Sequence, residues 1–599
     1  MLNPLLKGSV PVNDNAFVAY LNRYTTASSE HEAAFDEFTS ATPAGIPSLS
    51  IPTRLEKKLL DAFQSASPPT VILTGNAGDG KTYLCRKIVG AFRRLPLTVW
   101  PSHDTIHQFE FSDLLLTVVK DLSELSIATA GTVLTQLSAT LAGQTGAPYL
   151  IAANEGRLRA VLEEHGLNDL AQQIDHQLRH GPDLTPNAKL LVIDLNRVAT
   201  SQYIGPVLEW MTADVAWSGC GGCPVQNTCP IADNAARLRQ PGIRDRLTFL
   251  YGVLEQLDIH VTFRDMLIHL AYTITGGLSC VDVKQRAQKD EITWMYEVPA
   301  YAYYNNAFGE SAPAGFQRKT AAIRHLRKLN VGQESVFDLD HFIVGDDETQ
   351  PDLHTALFGN SIDLGGRLFE QDRQAYLRGL SATSEAAQAF VMRWLGHCRR
   401  KAFFSHPDGD LVLKLLPFQF LKDYLQLIDL NVSLKREYIK NLLILGLNRA
   451  FSGLYLNDRH TLYVTAHPSS SLENAVPAVL MRIAETNIDL IPSHPDSAEL
   501  IERWSSLTLK LQVPGVPPQI VAWNMNLLRF EYVMRRAYGS TPDILAQECE
   551  LAVRHLKDNL VARLGTHRNA NELEFFEYNG RSYRHRRLFF LDSPSVEQV

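Results

Sequence analysis

The feature that most constrains this chain is the segment Gly75-Asn-Ala-Gly78-Asp-Gly80-Lys81-Thr82, set between the apolar run Thr70-Val-Ile-Leu-Thr and the helix-like stretch YLCRKIVGAFRRL. G-x-x-x-x-G-K-T between a strand and a helix is the phosphate-loop pattern. Its glycines let successive backbone N–H groups turn inward around a β-phosphate, and the helix that follows adds its positive N-terminal dipole. Lys81 supplies a mobile charge for the β- and γ-phosphates, and the Thr82 hydroxyl is placed to ligate Mg²⁺. Gly75, Gly78, Gly80, Lys81 and Thr82 are therefore the expected nucleotide-binding residues.

Around this loop, from Thr70 to about Val198, short apolar runs alternate with helical patterns, which predicts a three-layer α/β domain. At about 100 to 200 residues per domain, 599 residues leave room for several more. Composition and pattern divide the chain into a lead-in at 1–68, an α/β core at 69–200, a helical lid at 201–280, a mainly helical region at 281–450 and an α+β domain at 451–599, with no internal repeat. Hydrophobic residues are 45% and charged residues 20%, so disorder is excluded as the dominant state. The net charge of −8 means that any contact with DNA must use a local basic patch. No leader pattern and no uncharged apolar run of membrane-spanning length is present, and seven sparse cysteines do not make a disulfide scaffold. The expectation is a cytoplasmic protein without a membrane partner.

Hydrolysis at a phosphate loop needs a second strand ending in an acid that holds Mg²⁺. Two runs qualify: Leu116-Thr-Val-Val-Lys-Asp121-Leu-Ser-Glu124 and Leu190-Leu-Val-Ile-Asp194. The first also reads as an amphipathic helix running on from DLLLTVV, in which case Asp194 takes the metal role. Between them, Tyr149-Leu-Ile-Ala-Ala-Asn154 ends in a polar side chain suited to orienting an attacking water.

The order of phosphate loop, acid-ended strand, Asn-ended strand, further strand and helical lid resembles that of AAA+ ATPases. The resemblance implies ATP and Mg²⁺ as ligands, Asp121 as the metal acid, Glu124 as the base that polarises water, Asn154 as the first sensor and LLVIDLN as the fifth strand. Glu124 stands three positions beyond Asp121, where the family has adjacent acids. Arg264 opens a lid helix at the family's second-sensor position, and Arg197 would serve a neighbouring subunit of a homo-oligomer. A guanidinium in either role stabilises charge developing on the γ-phosphate, whereas a surface salt bridge is the plainer reading of both.

Cys220-Gly-Gly-Cys223 and Cys229-Pro bring three thiols close in sequence. Tetrahedral zinc needs a fourth ligand, with Cys280, His260 or a partner residue as candidates. An iron–sulfur cluster also suits three thiolates, and reduced thiols in a Gly-rich turn are the plain alternative. Arg581-Ser-Tyr583-Arg584-His585-Arg586-Arg587 interleaves aromatic and cationic groups as a nucleic-acid contact does, or reads as a solvated terminal strand. Arg399-Arg400-Lys401 is a second basic cluster.

The set GNAGDGKT, VVKDLSE, AANEGRL, VIDLNR and C-x-x-C-x5-C-P resembles the DptF-type ATPase component of DNA phosphorothioation-dependent restriction systems over about residues 70 to 280. That resemblance implies a bacterial cytoplasmic ATPase that works with companion restriction proteins in antiviral defence. DNA would be engaged directly or through those partners. No nuclease signature is evident, so cutting would belong to a partner.

Overall fold

The structure is a computed structural model that describes residues 14–26, 42–65, 67–97, 100–143, 147–183, 185, 188–345, 350–378, 385–429, 433–466, 477–493, 504–515, 517–540, 546–563, 572–590 and 596–598. The chain forms two compact units. One holds residues 1–255, 259–417 and 495–503, and the other holds 256–258, 418–494 and 504–599. The boundary at Pro417 lies upstream of the composition change near residue 450, because the two helices that precede that change belong with the C-terminal strands.

The first unit is built on a sheet of five strands: β1 (Thr70–Thr74), β2 (Ile106–Phe111), β3 (Leu114–Val119), β4 (Tyr149–Ala153) and β5 (Leu190–Asp194), in the order β2-β3-β4-β1-β5. β3, β4, β1 and β5 run parallel. β1 and β4 are buried at every position, as expected of strands covered on both faces. Alternation of side chains divides β1 between two cores. Val71 and Leu73 pack with Leu55, Leu59 and Phe63 of the helix Arg54–Phe63 and with Leu84, Ile88 and Phe92 of the helix Lys81–Arg93. Ile72 faces the opposite core, with Leu134 and Leu137 of Ile127–Leu141, Leu158 and Val161 of Glu155–Glu164, and Ile174 of Asn168–His180. Helix, sheet and helix are thus stacked in three layers, and the unit is mixed α/β.

The segment VVKDLSE is a strand and not a helix: β3 ends at Val119, and a 3₁₀ turn runs over Leu122–Glu124. Its partner β2 is antiparallel to it. The two are joined through Ser112 and Asp113, both at positive φ (47° and 66°), the backbone of a two-residue hairpin turn whose twist matches that of the strands.

Helices make up the rest of this unit. The helix Ala16–Thr26 packs Phe17 edge-on against Trp210 and Trp217. The helices Phe263–Thr275 and Cys280–Lys289 flank Gly276, whose φ of +59° terminates the first. Together they form the one stretch among the described residues that is long and apolar enough to cross a membrane, and 67% of its apolar window is buried inside the protein. Arg399, Arg400 and Lys401 are also buried. Arg399 forks onto both carboxylate oxygens of Asp340, Arg400 bonds Asn305, and Lys401 bonds Asp363 at 2.8 Å. This basic cluster is therefore an internal ion-pair network with no phosphate-binding face.

The second unit combines helices Leu421–Asp429, Ser433–Ser452, Leu527–Ala537 and Ala546–Ala562 with two antiparallel sheets. One sheet has the order β10 (Gln519–Met525), β9 (Ser506–Val513), β8 (Ile488–Ser493). The other is β13 (Val596–Gln598), β12 (Tyr583–Phe590), β11 (Glu572–Tyr578), β7 (Val479–Ala484), β6 (Thr461–Thr465). Most of the arginine-rich tail lies in β12, where His585, Arg586 and Arg587 meet acids across the hairpin and Arg584 is exposed. Arg586 pairs with Glu577 at 2.8 Å, His585 with Glu574 at 2.6 Å, and Arg587 lies 3.7 Å from Glu574. Local acids thereby offset part of the positive potential that a polyanion would need.

Candidate phosphate-binding site

The glycine-rich loop leaves β1 at Thr74 and enters the helix Lys81–Arg93 through Gly80, at φ +81°. Gly78, at φ +99°, allows a close approach: a Cβ there would lie 2.8 Å from Arg264 Cβ and 3.0 Å from Thr262 Oγ1. The start of the helix Phe263–Thr275 is consequently seated on the loop, with the Arg264 backbone N–H donating to the Gly78 carbonyl at 3.1 Å. Lys81 is 8% exposed, and its ammonium donates to the carbonyls of Gly75 (2.9 Å) and Asn76 (2.7 Å). The lysine is thus a strap across the loop as well as a charge within it.

Asp79 lies at the centre of this arrangement. One carboxylate oxygen accepts the Asn76 backbone N–H at 2.6 Å, and the other meets His260 Nε2 at 2.7 Å. The side-chain oxygen of Asn196, just beyond β5, also accepts the Asn76 N–H, at 3.1 Å. Asp79, Asn196 and His260 are site residues that the motif pattern does not specify. Asp79 occupies a variable motif position, and the other two are brought in by tertiary structure.

A cavity of about 200 Å³ opens from the loop. Gly78, Gly80, Lys81 and Thr82 line its floor, and Arg264, Phe263, Leu267 and His260 form the lid side. Tyr203, whose ring meets Phe263 edge-on with centroids 5.7 Å apart, adds an aromatic wall. Leu49 and Ile51 complete the apolar side. These two belong to the lead-in, whose Pro47 carbonyl accepts the Trp210 indole N–H at 2.8 Å, and which includes Thr53, the N-cap of the helix Arg54–Phe63.

The two candidate acids occupy different places. Asp194, at the end of β5, is in register with Thr74 at the end of β1, and is 8% exposed. Its oxygens accept the Asn196 N–H at 3.1 Å and pair with Arg197 Nε at 3.1 Å. Arg197 is therefore committed to Asp194. Asp121 follows β3, which β4 separates from β1, so it stands about two strand spacings, roughly 10 Å, to the side. It accepts the Ser123 N–H at 2.8 Å. Glu124 is exposed and accepts the Thr105 hydroxyl at 3.0 Å. Asn154, at the end of β4 and so beside the loop, caps the next helix by accepting the Gly156 N–H at 3.0 Å.

Behind the lid, Glu255 is 4% exposed and accepts both the Ser201 N–H (2.8 Å) and the Ser201 hydroxyl (2.7 Å), anchoring the helix that carries Tyr203. Burial pushes its carboxyl up to about 7, against the Ser201 hydrogen bonds that favour the anion. The three cysteines Cys220, Cys223 and Cys229 lie apart from this cleft, around a separate small cavity. No protein-family model, curated protein or solved structure matches the chain.

Proposed function

We propose that this chain binds and hydrolyses ATP, with the phosphates on the loop Gly75–Thr82 and the base against Leu49, Ile51, Tyr203 and Phe263. One observation carries the reading: the glycine loop, Lys81, Thr82 and the lid's Arg264 all line a single cleft with an apolar, aromatic wall. A charged groove for phosphates beside a slot for a flat ring is what a nucleotide requires. On binding, Lys81 exchanges two loop carbonyls for phosphate oxygens, and Asp79 gives up the Asn76 N–H. Arg264 is the cation placed to face the γ-phosphate. Thr82 and Asp121 are the residues that would hold Mg²⁺, a Lewis acid for phosphoryl transfer. Asp121 is preferred over Asp194 because Arg197 already neutralises Asp194. Glu124 is the proposed base and must leave Thr105 to act.

That engagement of Glu124, with a residue at the head of the edge strand β2, favours a second reading: a nucleotide-gated switch that turns over rarely. The sequence resemblance extends the proposal to a DNA-defence role with companion restriction proteins. Because Arg586 and Arg587 of β12 are paired with acids, DNA contact is assigned to those partners.

Calorimetry and turnover test these readings. Lys81→Ala should lower ATP affinity by at least about tenfold, as expected when a charged hydrogen bond is lost. Asp121→Asn and Glu124→Gln should keep ATP bound and slow hydrolysis by about 100-fold or more. Undiminished ATP binding in Lys81→Ala refutes the site. Normal hydrolysis in both acid variants, with loss in Asp194→Asn, moves the metal to β5. Negligible turnover by the unaltered protein, with or without DNA, selects the switch.

A further inference from the structure

Cys280 is 51 positions beyond Cys229 in sequence, yet Cys220, Cys223, Cys229 and Cys280 line one cavity of about 30 Å³. All four are free thiols. Much of the remaining lining is apolar, from Val18, Trp217, Val225 and Ile231. We propose that these four cysteines form a closed tetrathiolate site for one structural zinc ion.

The local backbone is shaped for it. Cys223 ends the turn Ser218–Gly222 by donating its N–H to the Cys220 carbonyl at 3.1 Å, and the chain turns again so that Cys229 caps the helix Pro230–Leu238. Cys280 opens another helix, behind a Ser279–Asp282 capping box. Two of the four cysteines therefore stand at helix N-termini, Cys229 as an N-cap and Cys280 as a first helical residue. Asn15 Nδ2 donates to Cys220 Sγ at 3.3 Å, and Lys284, bonded to Asp14 at 2.7 Å, adds a cation to the lining. Donors and positive charge around a thiolate cluster are what an outer shell supplies to a metal.

Four sulfurs narrow the choice to zinc or an iron–sulfur cluster. A tetrahedral sulfur set with no open position is a structural zinc site, with Zn–S near 2.3 Å. Zinc needs no sulfide beyond the four thiols that line the cavity, whereas an iron–sulfur cluster does. His260, another candidate for the fourth ligand, is held by Asp79 at 2.7 Å. Among the described residues no group of three or more His, Cys, Asp or Glu side chains is already converged for a metal. The sulfurs must therefore close in by side-chain rotation, releasing their thiol protons to solvent as the ion binds. The site would join three distant segments: the N-terminal helix, the cysteine turn and the helix at Cys280.

Elemental analysis of the purified full-length protein should give about one zinc per chain. Cobalt(II) exchanged into the site should give the absorption of tetrahedral four-sulfur coordination. Cys280→Ser should weaken zinc retention against a chelator by about 100-fold or more. Cys280→His, which restores a ligand, should retain one ion with the cobalt bands shifted toward three sulfurs and one nitrogen. In the unaltered protein, alkylation followed by mass spectrometry should find these four cysteines protected until zinc is removed. Iron with acid-labile sulfide, or no metal at all, overturns the zinc site. A four-sulfur cobalt spectrum that persists in both Cys280 variants overturns Cys280 as the fourth ligand.

Discussion

Asp79 puts a carboxylate on the Asn76 N–H, so in the proposed nucleotide site the loop carries its own competitor at this residue. Replacing it with Ala leaves the Asn76 N–H only the Asn196 side-chain oxygen and removes a negative charge from the path of a polyanion. ATP should then bind several-fold more tightly by calorimetry, and a loss of affinity would instead assign Asp79 to holding the loop's shape. The motif glycines and Lys81 were legible in sequence because their spacing is local. The competitor was not, since its role depends on His260, 181 positions away. The same limit explains Arg399 to Lys401, which read as a basic patch in sequence. Their partners Asp340, Asn305 and Asp363 stand 59, 95 and 38 positions off, and only the fold turns the charges inward.

Among the elements, the strands of the sheet were readable wherever they are buried on both faces, because TVILT and YLIAA are unbroken apolar runs. The hairpin β2–β3 was not, because Ser112-Asp113 is a weak form of the turn signal and LLLTVV suits a helix as well as a strand. The helix Ser201–Met211 depends on Glu255 in a way that pH can probe. Its folded carboxyl, at about 7, lies above the ordinary value of 4.5, so the fold binds this proton more tightly than the unfolded chain does. The resulting stability is fully present below about pH 4.5 and is lost as pH rises toward 7, by on the order of 3 kcal/mol. Glu255→Gln keeps a neutral hydrogen-bonding group and removes that dependence. Its melting temperature should exceed that of the unaltered protein at about pH 8, and the advantage should vanish near pH 4.5. An equal offset at both values would remove Glu255 from the pH response.

For the whole molecule, every residue lining the proposed nucleotide cleft lies in the first compact unit. A fragment ending at Pro417 should therefore bind ATP with the affinity of the full chain, measured by the same calorimetry, and a large loss would show that the second unit shapes the cleft. The division into an α/β core with helices after it was readable from alternating patterns. The membership of Leu49 and Ile51 in the cleft was not, because nothing local announces which distant surface an extended segment will cover.

The cleft is assembled from four stretches of chain, beginning at Leu49 and ending at Leu267. During synthesis the glycine loop leaves the ribosome long before the lid that must cover it. A nascent chain has, for that interval, the glycine loop and the Leu49 and Ile51 side of the proposed cleft without its lid. Stalled chains in which Leu267 is still inside the exit tunnel should fail to retain labelled ATP, and chains in which it has emerged should hold it. Nucleotide capture would then mark the moment when the first unit is finished, and equal retention by both would mean that the loop alone suffices.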